Sequence, residues 1–162
     1  MRLPPFVVAL LAALILAGPA SAEETAKQSV ADGIKAKTQP LLKALSLIGT
    51  PYKFGSSNPE KGLDCSGFVK HVYKESADIS LPRSAAEMSQ KGTDIAQSDL
   101  KPGDLVFFNT RKKPNSHVGI YAGDGAFVHA SSSSSKEVTI SNIAEKYWAK
   151  RFNGARRVLP SE

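Results

Sequence analysis

The 162-residue chain contains a single cysteine, Cys65, and three histidines, His71, His117 and His129. Those residue types can supply a nucleophile, a general base and a group that orients the base, which covalent acyl transfer through a thiol requires. Cys65 lies in the stretch Leu63-Asp64-Cys65-Ser66-Gly67-Phe68-Val69, which reads as the start of a helix. Asp64 is a preferred N-cap, because its carboxylate accepts hydrogen bonds from N–H groups that a first turn leaves free. Phe68, Val69, Val72 and Tyr73 follow at helical spacing and make one apolar face. A thiol at that end of a helix meets the positive end of the helix dipole, which favours the nucleophilic thiolate. The competing reading is structural, since an unpaired cysteine is among the residue types most often buried.

The histidines differ in what they can do. His71 follows Cys65 on the same helix by about 1.7 turns, points away from it and reads as a solvated helix residue. His117 and His129 fall on consecutive predicted strands, His117–Tyr121 and Ala126–Ala130, joined around Gly123-Asp124-Gly125. If His117 faces His129, Gly119 faces Phe127 and Tyr121 faces Gly125. The loop is then Ala122-Gly123-Asp124, with Gly125 in the left-handed bulge position of a three-residue hairpin. A slip by one residue would send the two imidazoles to opposite faces.

The elements that must position these groups are legible in order. Met1–Ala22 reads as a secretory signal peptide: Arg2 gives a positive start, Phe6–Ala17 a short apolar run, and Ala20-Ser21-Ala22 a small-residue cleavage site. Residues 23–39 read as a polar N-terminal arm or short helix. A helix is expected from Pro40, proline suiting a first turn, with Leu41, Leu45 and Ile48 on one face, Leu42 beside them and Gly49 as its end. Thr50–Gly55 reads as extended chain. Ser84-Ala85-Ala86-Glu87 is a capping box that opens a short helix running to Gly92. Lys101–Asp104 is a turn leading to a buried strand, Leu105–Phe108. Arg111-Lys112-Lys113-Pro114-Asn115 is a basic loop, most simply a solvated one. Ser131–Ser135 is low in complexity. Val138–Ile140 reads as a strand, Asn142–Lys150 as a helix carrying Trp148, and Arg156–Leu159 as a closing strand. Helices first and strands later argue an α+β fold with an antiparallel sheet.

Composition bounds the partners. One cysteine excludes an internal disulfide framework and a cysteine-rich zinc site, and the chemistry read here needs neither a metal nor an organic cofactor. The formal charge of +6 suits an anionic partner. There is no interleaving of basic and aromatic residues and no Cys/His finger spacing, so nucleic acid is not expected. Export places the protein in the periplasm or outside the cell, where a retained free thiol is easier to understand if it works. No cysteine follows the apolar run to carry a lipid, so no stable membrane insertion is expected once the signal is removed. A monomer is expected.

Four motifs resemble the NlpC family, papain-like cysteine peptidases that cut the peptides of bacterial cell wall. They are Asp64-Cys65-Ser66-Gly67-Phe68, Pro102–Phe108, Ser116-His117-Val118-Gly119-Ile120-Tyr121 and Phe127-Val128-His129-Ala130. The resemblance runs from about Pro40 to Leu159, and the closing Gly154–Val158 looks most like the small Spr/MepS-type murein endopeptidases. It implies a papain-like fold of residues 40–162, with the nucleophile-bearing helix packed on an antiparallel β-sheet. It implies Cys65 as nucleophile, His117 as base and His129 as the residue that orients it, with peptidoglycan as substrate. Tyr52, Asp64, Ser66, Arg83 and Ser84 match positions that line the substrate cleft, although Asp64 and Ser84 can equally serve as helix caps and Tyr52 as packing. Relatives usually carry Trp-Gly-Gly where this chain has Phe54-Gly55-Ser56, which bears on the cleft wall. The expected reaction is hydrolysis of the D-alanyl–diaminopimelate cross-link. The alternatives are an intra-stem γ-D-glutamyl–diaminopimelate cut, another acyl transfer on the same fold, or a non-catalytic module that holds wall peptides.

Overall fold

A computed structural model of the protein describes residues 20–133 and 135–160. The first helix, α1, runs Ala20–Ser46 with Pro40 inside it, so the expected arm and the helix expected from Pro40 are one element. Ala, Glu, Lys and Gln dominate the stretch before Pro40, and these are strong helix formers. Just before the proline, the Thr38 hydroxyl donates to the carbonyls of Ile34 and Lys35 at 3.1 and 3.2 Å. The buried face is also not the expected one. Ala44 is fully buried, with Leu41 and Leu47 packed on the core, whereas Leu42, Leu45 and Ile48 are exposed. The chain divides into two compact units at Asp32/Gly33. In the first, Lys27 pairs with Glu23 at 2.8 Å and the Gln28 amide donates to Asp32. Of the proposed signal segment, residues 1–19 lie outside the described residues. No helix among the described residues is long and apolar enough to cross a membrane.

The second unit holds the rest. A small pair of strands, β1 (Ser57–Asn58) and β2 (Gly62–Leu63), precedes helix α2, Cys65–Ala77, and the short α3, Ala85–Met88. A six-stranded antiparallel sheet follows: β3 (Thr93–Ile95), β4 (Leu105–Phe108), β5 (His117–Gly123), β6 (Ala126–Ala130), β7 (Val138–Asn142) and β8 (Phe152–Arg157), in the order β3-β8-β4-β5-β6-β7. The expected α+β class is therefore observed.

One face of the sheet, through Leu105, Phe107, Val118, Ile120, Val128 and Ala130, packs on the apolar face of α2. Phe68, Val69, Val72 and Tyr73 of that face are all fully buried. Val106, Phe108, Phe127 and Ala155 point the other way, toward Trp148 and Ile143. Alternation along a strand separates these two sets. The Tyr73 hydroxyl donates to the Gly103 carbonyl and ties α2 to the turn before β4.

Several boundaries moved. The helix of Trp148 is only α4, Lys146–Ala149, because Asn142 still belongs to β7 and its side chain accepts from the Ala144 N–H, holding a turn. The last strand lies earlier than expected, centred on Gly154, because β4 and β3 both pair with that stretch. The helix after Ser84 closes at Met88, short of Gly92, although the capping box is present in full.

The hairpin between β5 and β6 has a different register from the one expected. Ile120 pairs with Val128 and Tyr121 with Phe127, then the register shifts so that Gly123 pairs with Ala126. The turn is the two-residue Asp124-Gly125, both at positive φ (50° and 78°), as the tight primed turns require. The extra residue, Ala122, forms a bulge instead of joining the loop. The slip from expectation is two residues, which preserves the faces, and His129 falls opposite Gly119.

Candidate active site

Asp64 caps α2 as the sequence indicates: its Oδ1 accepts from the Gly67 N–H at 2.7 Å. It does more besides. Oδ2 accepts from the Gly55 N–H at 2.8 Å, and Arg83 donates to both oxygens, at 3.0 and 2.6 Å. Ser66 Oγ bridges the pair, accepting from Arg83 at 2.9 Å and lying 3.4 Å from Asp64 Oδ1. Gly67 is where the backbone of Ser56 crosses the helix; a Cβ there would lie 2.1 Å from the Ser56 carbonyl oxygen. The motif Asp64-Cys65-Ser66-Gly67 thus fixes the first turn of α2 against the preceding loop.

Cys65 and the five expected cleft residues, Tyr52, Asp64, Ser66, Arg83 and Ser84, line one cavity of about 520 Å³. Ser84 is also the cap of α3, its hydroxyl donating to Glu87 at 2.6 Å. The basic loop expected to be merely solvated forms another part of the lining, through Arg111, Lys113, Pro114, Asn115 and Ser116. The Arg111 guanidinium lies 5.6 Å from the centre of the Phe54 ring and shares the cavity lining with Tyr52. Phe54 is thus an exposed wall of the cavity and a shelf for a cation.

The imidazoles do not line that cavity. His117 and His129 are buried on the same face of β5 and β6, and His117 Nε2 lies 2.9 Å from His129 Nδ1. The rings meet edge to face at 5.0 Å, and the Trp148 indole stacks on His117 at 5.4 Å. The pair is diagonal, not directly opposed, and Gly119 leaves the room: a Cβ there would lie 2.7 Å from the Phe127 ring and 3.3 Å from His129 Cβ. Cys65 packs against the core cluster that includes Val118, the neighbour of His117. His71 is not simply solvated. Its Nε2 is buried without a partner, and burial, then the charge of Lys43, lowers its pKa.

Burial sets the charge state. It raises the Cys65 thiol above its ordinary value, and the nearby Asp64 charge adds to this. Backbone hydrogen bonds at Val118 and Ser66 and the charge of Arg111 pull the other way. Burial lowers His117 to about 3, with His129 and Arg111 adding to the effect, and lowers His129 to about 4. Burial thus favours the neutral form of all three groups. For Cys65 this desolvation works against the helix dipole, which favours the thiolate.

Ser141 was not singled out from the sequence. It sits on β7, and its Oγ lies 3.0 Å from His129 Nε2. Finding it needs the β6–β7 register, which pairs Phe127 with Ser141 and His129 with Thr139; a serine in a short strand gives no signal of its own. Trp148, too, gives no local signal of its stacking on His117. Among the described residues no group of three or more His, Cys, Asp or Glu side chains could hold a metal ion.

The profile of the NlpC/P60 family matches residues 49–157. The gamma-DL-glutamyl hydrolase of Bacillus subtilis (strain 168) is 44% identical over 133 residues, 82% of this chain and 32% of that protein. The murein DD-endopeptidase MepS/murein LD-carboxypeptidase of Escherichia coli (strain K12) is 48% identical over 111 residues, 68% of this chain and 57% of that protein. The chain thus spans about a third to just over half the length of these relatives. An NLP/P60 family protein of Staphylococcus aureus subsp. aureus Mu50, of known crystal structure, superposes with a TM-score of 0.69 at 32% identity, covering 78% of this chain and 42% of that one.

Proposed function

Because this chain belongs to the NlpC/P60 family, we propose that it is a cysteine peptidase acting on peptidoglycan, an endopeptidase that hydrolyses the D-alanyl–diaminopimelate bond of murein cross-links. The observation that carries this reading is a cavity lined by the Cys65 end of α2, with a hydrogen-bonded His117–His129 pair on β5 and β6, the two strands on which that helix packs. Cys65 is the nucleophile. The hydrogen bond to His129 occupies His117 Nε2, so Nδ1 is the nitrogen that takes the thiol proton. Since burial favours the neutral form of both groups, the proton moves as the sulfur attacks the substrate carbonyl. The Asp64 groups already accept the N–H groups of Gly67 and Phe68, which leaves the N–H groups of Cys65 and Ser66 as the first-turn donors, and that of Cys65 serves the oxyanion. His117 then returns the proton to the leaving amine, and water releases the acyl group from sulfur.

Two relatives name the competing bonds, one as a DD-endopeptidase and one as a gamma-DL-glutamyl hydrolase. The intra-stem cut is the second reading, favoured by Tyr52, Asp64, Ser66 and Ser84 in the cleft. The saturation of Asp64 by Arg83 and two backbone N–H groups supports the first, since a substrate ammonium would need a free carboxylate. The protein acts in the cell envelope as a monomer after removal of residues 1–22; sequencing of exported protein should find Glu23 at its start. The decisive test is digestion of cross-linked dimeric muropeptides with product masses. Monomeric tetrapeptide stems support the cross-link cut, and dipeptide stems with intact cross-links support the intra-stem cut. No turnover by wild type, or full turnover by Cys65→Ser, leaves only a binding module or another chemistry.

A further inference from the structure

His129 is 1% exposed and both its ring nitrogens have partners: Nδ1 meets His117 Nε2 at 2.9 Å, and Nε2 meets Ser141 Oγ at 3.0 Å. A neutral imidazole carries one N–H and one lone pair, so the proton on His129 decides the state of His117. With the proton on His129 Nε2, the lone pair of Nδ1 faces His117. His117 can then carry its own proton on Nε2 and keep Nδ1 free for the thiol. With the proton on His129 Nδ1, His117 Nε2 must accept, its proton moves to Nδ1, and the nitrogen needed by Cys65 is blocked.

From this geometry we infer that Ser141 is a positioning residue that selects the productive tautomer of His129 by accepting its Nε2–H. Ser141 lines a second cavity of about 370 Å³ that His129, Ser131, Thr139, Glu145 and Trp148 also border. This polar opening gives the Ser141 O–H somewhere to donate, so its oxygen is left to accept from His129. The charged or titratable groups around the pair are His117 on β5, Glu145 and Tyr147 beyond β7, and the Arg111 charge that reaches His117. Glu145 is held by the Asn142 N–H at 2.8 Å. Without the hydroxyl, the productive tautomer buries an unpaired N–H, whereas the other tautomer buries only an unpaired lone pair. Orphaned buried N–H groups are the rarer of the two kinds, so the balance moves to the blocked form.

This inference rests on the proposed role of His117, and its test separates the two. In the full chain, 15N NMR of the imidazoles should find His129 protonated on Nε2 in wild type and in Ser141→Thr, and shifted toward Nδ1 in Ser141→Ala. On murein, Ser141→Ala should lower kcat on the order of tenfold with KM unchanged, and Ser141→Thr should restore it. An Nδ1-protonated His129 in wild type overturns the inference, as does a Ser141→Ala protein with unchanged tautomer and full kcat. Absence of murein turnover in wild type overturns the proposed function, while the tautomer measurement still decides this point.

Discussion

Arg83 grips Asp64 through both nitrogens of its guanidinium fork, at 3.0 and 2.6 Å, in the wall of the cavity that holds Cys65. The carboxylate is nearly enclosed, its side chain 10% exposed, and its two oxygens also serve the N–H groups of Gly67 and Gly55. Its charge is therefore matched and its lone pairs occupied before any substrate arrives.

A free substrate amine should consequently matter little. Stems with an acetylated N-terminus, or still joined to glycan, should be cut with kcat/KM within about threefold of free-amine stems, a difference below 1 kcal/mol. Competition between the paired substrates, followed by mass spectrometry, measures the ratio. A preference of tenfold or more for the free amine would sink this reading and favour the intra-stem cut.

Asp104 and Arg157 form a second two-point pair, both contacts at 2.7 Å, joining the turn before β4 to the end of β8. The partners are unequal: the Asp104 side chain is 2% exposed and that of Arg157 24%. Losing the arginine strands a carboxylate in the interior, while losing the aspartate leaves a guanidinium that can reach water. Arg157→Ala should therefore cost about 3 kcal/mol or more of unfolding free energy, and Asp104→Ala less. Urea denaturation of both variants checks the order.

Legibility in the sequence followed the range of the forces involved. The start of α2 and the capping box of α3 are local: Asp64 and Ser84 each bond within three residues, so type and spacing reveal them. The His117–His129 face was legible because alternation needs only parity. The register was not, because Asp124-Gly125 and Ala122-Gly123-Asp124 are both acceptable turns, and nothing local signals the bulge at Ala122 that the observed pairing contains. Ser141 and the Arg111 loop come to the site through strand pairings and tertiary packing that no local pattern encodes. The balance at Cys65 is illegible for a related reason, since the helix dipole is local and the burial that opposes it is not.

The buried imidazoles should make the fold acid-sensitive. An unfolded histidine titrates near 6.5, while burial holds folded His129 down to about 4. Below pH 6.5 the unfolded chain binds the extra proton, so stability is lost as pH falls from 6.5 toward 4 and is fully present above that window. The loss attributable to His129 should be about 3 kcal/mol at pH 4. His129→Asn should flatten the pH dependence of the denaturation midpoint between pH 6.5 and 4; a curve parallel to wild type would show that His129 is not buried neutral.

Reactivity of the thiol tests the resting charge state directly. A thiolate held by an imidazolium would alkylate quickly at neutral pH, with a rate independent of pH down to well below 7. Here burial raises the Cys65 thiol, and the neighbouring Asp64 charge raises it further. Without substrate, the iodoacetamide rate should therefore be slow at pH 7 and climb through an apparent pKa above the free-thiol value of about 8.5. The Arg111 charge opposes that rise, and Arg111 lies in the rim loop, not among the residues that fix α2. Arg111→Ala should thus move the apparent pKa upward again with the fold unchanged, while Arg111→Lys, which keeps the charge, should move it less. Stopped-flow alkylation across pH 6 to 10 gives all three curves. A wild-type rate already at its plateau by pH 7 would mean that the thiolate–imidazolium pair exists at rest, and that closure of Cys65 on His117 precedes substrate binding.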